Sequence, residues 1–201
     1  MTVRAVFFDA GETLLNEARA WGQLARAVGV EPHVMWAALG AVVERGEDHR
    51  RVFDLLEVEM PPRGTVGWDA RDFYPDALPC LSRLRADGYF VGVGGNVGWD
   101  IAPFLAEAGV EHDAVATSHT LGVEKPSPEF FARLIELAST EPDETAYVGD
   151  RIDNDVVPAA AAGMLAVHIR RGPWGYLQDG ADRARVRIRS LDELPAVFRD
   201  A

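Results

Sequence analysis

The sequence predicts an α/β fold, a parallel sheet with helices on both faces, together with a small all-helical segment. Two observations predict it. From residue 75 onward, short apolar runs alternate with stretches of helical periodicity, which is typical of repeated β–α units. Between residues 16 and 74, apolar residues recur only at helical spacing.

The elements follow in chain order. A β-rich apolar run over 3–8 stops at Asp9 and Gly11, as a buried strand that feeds a loop would. Gly29 ends the first helix of the all-helical segment, and Pro32 begins the second. A third helix precedes the breaker at 61–64. Later helices are predicted over 78–86, 101–108, 130–138 and 156–162, and strands over 89–93, 114–116, 145–148 and 165–169.

The tail over 183–189 alternates arginine with smaller residues. This period of two predicts a final edge strand with one solvated face, whose charges block edge-to-edge pairing. A basic ribbon that binds substrate is the alternative.

Composition and charge exclude several classes of protein. At 201 residues, one domain, or one domain with a modest insertion, is expected. The net charge of −12 argues against nucleic acid as a partner. The single Cys80 cannot form a disulfide within the chain, so a reducing, cytoplasmic location is expected. The sequence has neither a signal-peptide pattern nor an apolar window of ~20 residues, so no membrane association is expected.

Polar residues follow three of the predicted strands, namely Asp9, Asn96 and Asp150. Active sites in parallel sheets lie at the carboxyl ends of the strands. We therefore expect these three residues to converge on one site.

Three segments carry a family resemblance: FFDAGETL at 7–14, EKPSP at 124–128 and VGDRIDND at 148–155. They resemble the first, third and fourth motifs of the haloacid dehalogenase-like hydrolase superfamily, in the right order and spacing. The resemblance implies a Rossmann-like catalytic core, residues 1–15 and 75–201, and a helical cap inserted after the first strand, residues 16–74.

The resemblance also implies site roles. Asp9 matches the nucleophile, which forms an aspartyl-phosphate that water then hydrolyses. Mg²⁺ is the implied cofactor, held by Asp9, the backbone carbonyl of Gly11 and Asp150, with Asp155 as a ligand or a neighbour of the ligands. An acid favoured by a helix N-terminus is the alternative for Asp155.

Lys125 matches the lysine of the third motif, which holds the nucleophile and the phosphoryl oxygens. The composition supports this match independently. The chain has nineteen arginines and one lysine, and that lysine stands where the family needs one.

Two positions depart from the family pattern. Its phosphatases carry an acid/base aspartate two residues after the nucleophile, where this chain has Gly11. Glu12 is the candidate replacement, although an exposed surface glutamate is the alternative. The phosphoryl-binding hydroxyl of the second motif is replaced by Gly95, so the amides of this turn and the side chain of Asn96 are candidate substrate donors.

Cations near the expected site are candidate specificity residues. Arg50 lies in a charged stretch of the cap, and Arg171 follows the strand at 165–169. A solvated charge cluster is the alternative for both.

The leading hypothesis is a Mg²⁺-dependent phosphatase of a small phosphorylated metabolite. Two alternatives remain open. A dehalogenase-type hydrolase needs no leaving-group acid, which agrees with Gly11. A weakened family member could instead bind a ligand or a protein partner without turnover. The substrate and the oligomeric state stay open.

Overall fold

The computed structural model describes residues 2–62 and 64–200, and their centre is a six-stranded parallel sheet. Its strand order is β3-β2-β1-β4-β5-β6, and every neighbouring pair is parallel. The predicted α/β fold is confirmed. The strands are β1 (Ala5–Phe8), β2 (Phe90–Val93), β3 (Ala114–Val115), β4 (Thr145–Gly149), β5 (Leu165–Ile169) and β6 (Val186–Ile188).

Helices surround this sheet and also form the segment inserted after β1. No helix among the described residues is long and apolar enough to cross a membrane. The helices are α1 (Ala18–Ala27), α2 (Pro32–Glu44), α3 (Arg51–Leu55), α4 (Ala77–Ala86), α5 (Ala102–Glu107), α6 (Ser118–Leu121), α7 (Pro128–Ala138), α8 (Val157–Ala161), α9 (Gly172–Leu177) and α10 (Leu194–Asp200).

The central strand β1 contributes side chains to two cores, one on each face of the sheet. Val6 and Phe8 pack in a cluster with Leu84 of α4, whereas Phe7 packs in a second cluster with Phe130 of α7. Side chains alternate between the faces of a strand, so an apolar run in β1 buries both faces at once. The result is a helix–sheet–helix arrangement that fixes the position of β1.

Helices α1–α3 build a third hydrophobic cluster of their own. Trp21, Leu39 and Phe53 are buried there, and Trp174 of α9 packs into the same cluster. The described part of 16–74 contains helices, turns and one bridge between Leu15 and Phe73, and no strand. Its helical nature is therefore confirmed, while the boundaries of core and cap at 15/16 and 74/75 stay a prediction.

The last strand is shorter than the predicted 183–189. β6 covers Val186–Ile188 and pairs with β5, at the end of the strand order. Arg183 lies in a preceding 3₁₀ turn, while Arg185, Arg187 and Arg189 are exposed. The structure therefore contains the charged edge strand that the sequence predicts.

Candidate functional site

The strand order places the candidate site. Chain order runs outward from β1 to β2 and β3, then returns to β4 on the other side of β1. Such a switch point leaves a crevice at the carboxyl ends of the strands. Asp9 follows β1, Asn96 lies just beyond β2, and Asp150 follows β4. These three residues, which the sequence predicts to converge, all line one cavity.

A buried lysine links the carboxylates at this edge. Lys125 Nζ donates to Asp9 Oδ1 at 2.8 Å and to Asp155 Oδ1 at 2.5 Å. The Lys125 side chain is 1% exposed. Burial lowers the pKa of Lys125, but Asp155 and Asp9 outweigh that effect and hold it well above its usual value. The charged ammonium form of Lys125 is therefore favoured beside Asp9.

The backbone of Lys125 is held from the β2 side. Asn96 Nδ2 donates to the Lys125 carbonyl at 2.9 Å, and the Lys125 N–H donates to Asn96 Oδ1 at 2.8 Å. Asn96 thus orients the lysine. One N–H of its amide is left for a substrate, so its predicted role in substrate binding stays a prediction.

Asp9, Asp150 and Asp155 form a buried acidic group. Each offers a carboxylate oxygen, and these oxygens lie within 4.8 Å of one another. Asp150 Oδ2 is buried and has no hydrogen-bond partner among the described residues 2–62 and 64–200. Burial, then the charges of Asp155 and Asp9, raise the pKa of Asp150 well above its usual value. One lysine does not balance three carboxylates, so the group fits a hard divalent cation.

A π-helical turn over Ile152–Val156 positions Asp155. Its Oδ2 accepts a hydrogen bond from the Arg151 N–H at 2.9 Å while Oδ1 faces Lys125. Such turns are rare and occur frequently at functional sites. Both oxygens of Asp155 are thus engaged by the protein, which makes Asp150 the more available carboxylate for a cation.

Gly95 leaves room for the nucleophile candidate. A Cβ at Gly95 would lie 2.4 Å from Asp9 Oδ1. No side chain fits there while Asp9 points at Lys125. The observed position of the Asp9 side chain therefore depends on a glycine at residue 95.

Glu12 is buried, with 3% of its surface exposed, so the exposed alternative was wrong. The Tyr74 hydroxyl donates to its Oε2 at 2.6 Å, and the Glu17 N–H donates to its Oε1 at 3.1 Å. Burial raises the pKa of Glu12, and these two hydrogen bonds partly offset that rise. Glu12 therefore braces the loop after β1.

Glu17 occupies the space that Gly11 leaves free. Its Oε1 lies 2.7 Å from the position of a Cβ on Gly11, and its Oε2 accepts from Trp21 Nε1 at 3.3 Å. Burial, then the charge of Glu12, raises the pKa of Glu17 to about 7. Sequence reasoning missed Glu17, because no motif rule links a glycine to an acid six residues later.

The site opens into a cavity of about 350 Å³ between the strand ends and the helical segment. Besides Asp9, Glu17, Lys125 and Asp150, its lining includes Arg151 and is rich in aromatic groups. These are Trp21, His49, Trp68, Trp99 and Trp174. Several of them belong to segments that the sequence marked only as helix or loop.

The two candidate arginines do not line this cavity. Arg50 is exposed and pairs with Asp48 at 2.5 Å. Arg171 is buried, donates to the Thr13 carbonyl at 2.7 Å, pairs with Asp76, and stacks on a tyrosine ring. Arg50 faces solvent, and Arg171 ties the loop after β1 to the start of α4, so neither contacts this cavity and their roles as substrate ligands stay predictions.

Residues 3–163 match the family model of the haloacid dehalogenase-like hydrolases. The chain is 32% identical over 208 residues to the glyceraldehyde 3-phosphate phosphatase of Methanopyrus kandleri, covering 90% of this chain and 89% of that one. A haloacid dehalogenase-like (HAD) phosphatase structure from Thermococcus onnurineus is similar over 98% of each chain, with TM-score 0.65 and 28% identity.

A 2-haloacid dehalogenase structure from Pseudomonas syringae is similar in fold, with TM-score 0.61 and 21% identity over 98% of this chain and 99% of that one. Together, the fold and the family match define the protein as a hydrolase. More particularly, the chain belongs to the haloacid dehalogenase-like hydrolases.

The substitution Arg171→Ala separates a structural role from substrate binding. Removing one partner of a buried pair leaves Asp76 uncompensated, so we expect a loss of about 3 kcal/mol in unfolding free energy. Thermal denaturation measures it as a fall in Tm. Arg50→Ala is the control and should change stability by less than about 1 kcal/mol. An unchanged Tm with a raised KM for substrate would contradict this assignment.

Proposed function

We propose that this protein is a Mg²⁺-dependent phosphatase of a small phosphorylated metabolite, acting through an aspartyl-phosphate on Asp9. The observation that carries this proposal is the Lys125 ammonium, which contacts both Asp9 and Asp155 in a buried site. A positive charge there offsets the repulsion between a carboxylate nucleophile and a phosphoryl group. The phosphatase name of the M. kandleri relative supports the same reaction class.

The reaction has two steps. An Asp9 carboxylate oxygen attacks phosphorus, and the bond from phosphorus to the ester oxygen breaks as that oxygen leaves with the electron pair and gains a proton. Water then attacks the phosphorus of the aspartyl-phosphate and gives up a proton. Inorganic phosphate leaves and the Asp9 carboxylate is restored. Lys125 stays protonated throughout and orients Asp9.

Mg²⁺ fits the acidic group because Asp150 carries an unpartnered buried oxygen and three carboxylates face one lysine. Asp9, Asp150 and the Gly11 carbonyl would hold it, with Asp155 beside them. When bound, the cation supplies positive charge to the phosphoryl oxygens. The same excess of negative charge disfavours the metal-free dehalogenase alternative.

We propose that Glu17 donates the proton to the leaving ester oxygen and later accepts the proton from water. Its carboxylate fills the space beside Gly11 and lines the cavity that contains Asp9. The other nearby candidate, Glu12, already accepts hydrogen bonds from Tyr74 and from the Glu17 N–H. Both oxygens of Glu12 are thus engaged, whereas in Glu17, among the residues that the structure describes, only Oε2 accepts, from Trp21, and Oε1 lies beside Gly11. Glu17 is therefore better placed to protonate the leaving oxygen in the first step and to take the water proton in the second.

The first test replaces the nucleophile. With Mg²⁺, phosphate release from 4-nitrophenyl phosphate and a panel of phosphorylated metabolites should fall by roughly 10⁴-fold or more in Asp9→Asn. Asp54→Asn, an exposed acid on α3, is the control and should keep full activity. Equal rates in wild type and Asp9→Asn would overturn the proposal, and ligand binding without turnover would favour a binding protein.

The second test concerns the cation and needs no turnover. Mg²⁺ at about one hundred times its Kd should stabilise the wild type by about 2.7 kcal/mol, seen as a rise in Tm. Asp150→Asn should lose this rise, because it removes the available carboxylate. Asp153→Asn is the matched control, since this neighbouring acid is 54% exposed and pairs with Arg151. An equal rise in Asp150→Asn would contradict the metal assignment.

The third test concerns Glu17. With glycerol 3-phosphate, whose leaving group needs a proton, Glu17→Gln should lower kcat by about 10²–10⁴-fold. With 4-nitrophenyl phosphate the first step needs no proton, so a burst of nitrophenolate should remain while the second step slows. Glu12→Gln is the matched control and should affect both substrates alike. A loss in Glu17→Gln that is the same for both substrates, without a burst, would refute the assignment.

A further inference from the structure

The cavity beside Asp9 has an unusual share of the chain's tryptophans. Four of the five line it: Trp21, Trp68, Trp99 and Trp174. They come from α1, from the loops after α3 and β2, and from α9. Side chains that are so distant in sequence meet in one place only because the fold brings them there. At about 350 Å³ the cavity is near the small end of ligand pockets, which span roughly 300–1,000 Å³.

The aromatic groups form two walls. In one, the ring centroid of His49 lies 6.2 Å from that of Trp21 and 6.2 Å from that of Trp174, both edge to face. In the other, the centroids of Trp68 and Trp99 are 5.9 Å apart. Trp99 is 42% exposed. A large apolar ring contributes little to folding stability at such an exposed position. An indole left open at a cavity mouth is available to contact a ligand ring.

The charged groups of the cavity point to the same kind of ligand. Lys125 is paired with Asp9 and Asp155, while Arg151 pairs with Asp153 at 2.8 Å and stacks over the Trp174 ring. Every lysine or arginine that lines the cavity among the described residues is thus already paired. A carboxylate on the substrate would meet Glu12, Glu17 and Asp150 without a free cation to bind it. The charged groups of the cavity therefore disfavour a second anionic group on the substrate beyond its phosphate.

We infer that the substrates are phosphate monoesters whose organic part is an uncharged, flat aromatic or largely apolar group that inserts between the two tryptophan walls. This inference rests on the proposed phosphatase function and names its substrate class. It separates this protein from an enzyme for short polar or carboxylate-bearing esters. The phosphate would lie at Asp9 and Lys125, with the ring at Trp68 and Trp99.

The test compares substrates with equal chemistry at phosphorus. 2-Phenylethyl phosphate, glycerol 3-phosphate and 3-phosphoglycerate are all primary alkyl esters, so differences in kcat/KM report recognition rather than leaving-group quality. We expect 2-phenylethyl phosphate to exceed glycerol 3-phosphate by about tenfold or more, and 3-phosphoglycerate to be the poorest. Equal or reversed preference, in an activity that Asp9→Asn abolishes, would overturn the inference and leave the phosphatase function standing.

Substitutions of aromatic residues test which side chains cause the substrate preference. Trp99→Ala should lower kcat/KM for 2-phenylethyl phosphate by about tenfold, mainly through KM, and affect glycerol 3-phosphate by a much smaller factor. Tyr176→Ala is the control, because Tyr176 is an aromatic residue with 59% exposure that does not line the cavity. Tyr176→Ala should leave kcat/KM unchanged for both substrates. Equal losses for both substrates in Trp99→Ala would count against the aromatic wall.

A binding measurement keeps the two proposals separable. Quenching of tryptophan fluorescence in Asp9→Asn, titrated with each ester in the presence of Mg²⁺, should give a lower Kd for 2-phenylethyl phosphate than for glycerol 3-phosphate. If wild type hydrolyses no ester, the phosphatase proposal fails, and this binding order still decides the ligand class. Equal Kd values would refute the ligand class whatever the activity.

Discussion

The contact of one buried ammonium with two carboxylates is the interaction on which the site depends. Lys125 fixes Asp9 on one side and Asp155 on the other, and each partner is positioned by a different strand end. Taking these charges out of water is costly unless all are paired, so loss of any one partner leaves the others exposed to that cost. Asn96 holds the backbone of Lys125, Gly95 leaves room for Asp9, and the π-helical turn positions Asp155, so each supports this contact.

The topology of the sheet brings the charged groups of this contact to one place. A parallel sheet buried on both faces has apolar strands, so polar groups gather where the strands end. The return of the chain to the far side of β1 opens a crevice there. The helical segment after β1 covers the crevice, and α9 joins it through Trp174. The cavity between the helical segment and the strand ends therefore has aromatic walls and a charged floor.

The sequence predicted the fold and the charged centre well, because periodicity and motif spacing are local signals. Asp9, Lys125 and Asp150 could be assigned before any contact was known. Glu17 could not, since only the folded loop brings its carboxylate to the empty side of Gly11. The contacts of Arg171 with Thr13 and Asp76 could not be foreseen either, because a position after a strand does not tell which way a long side chain turns. The tryptophan walls were also invisible, as they join segments far apart in the chain.

The enclosure of Lys125 has a consequence for the covalent chemistry of the whole molecule. It is the only lysine of the chain, so every other long basic side chain is a guanidinium, which stays charged across the biological pH range. Reagents or enzymes that acylate or methylate lysine find no target on the folded surface. Reaction at Lys125 would require the site to open, and its rate would measure how often the helical segment separates from the strand ends.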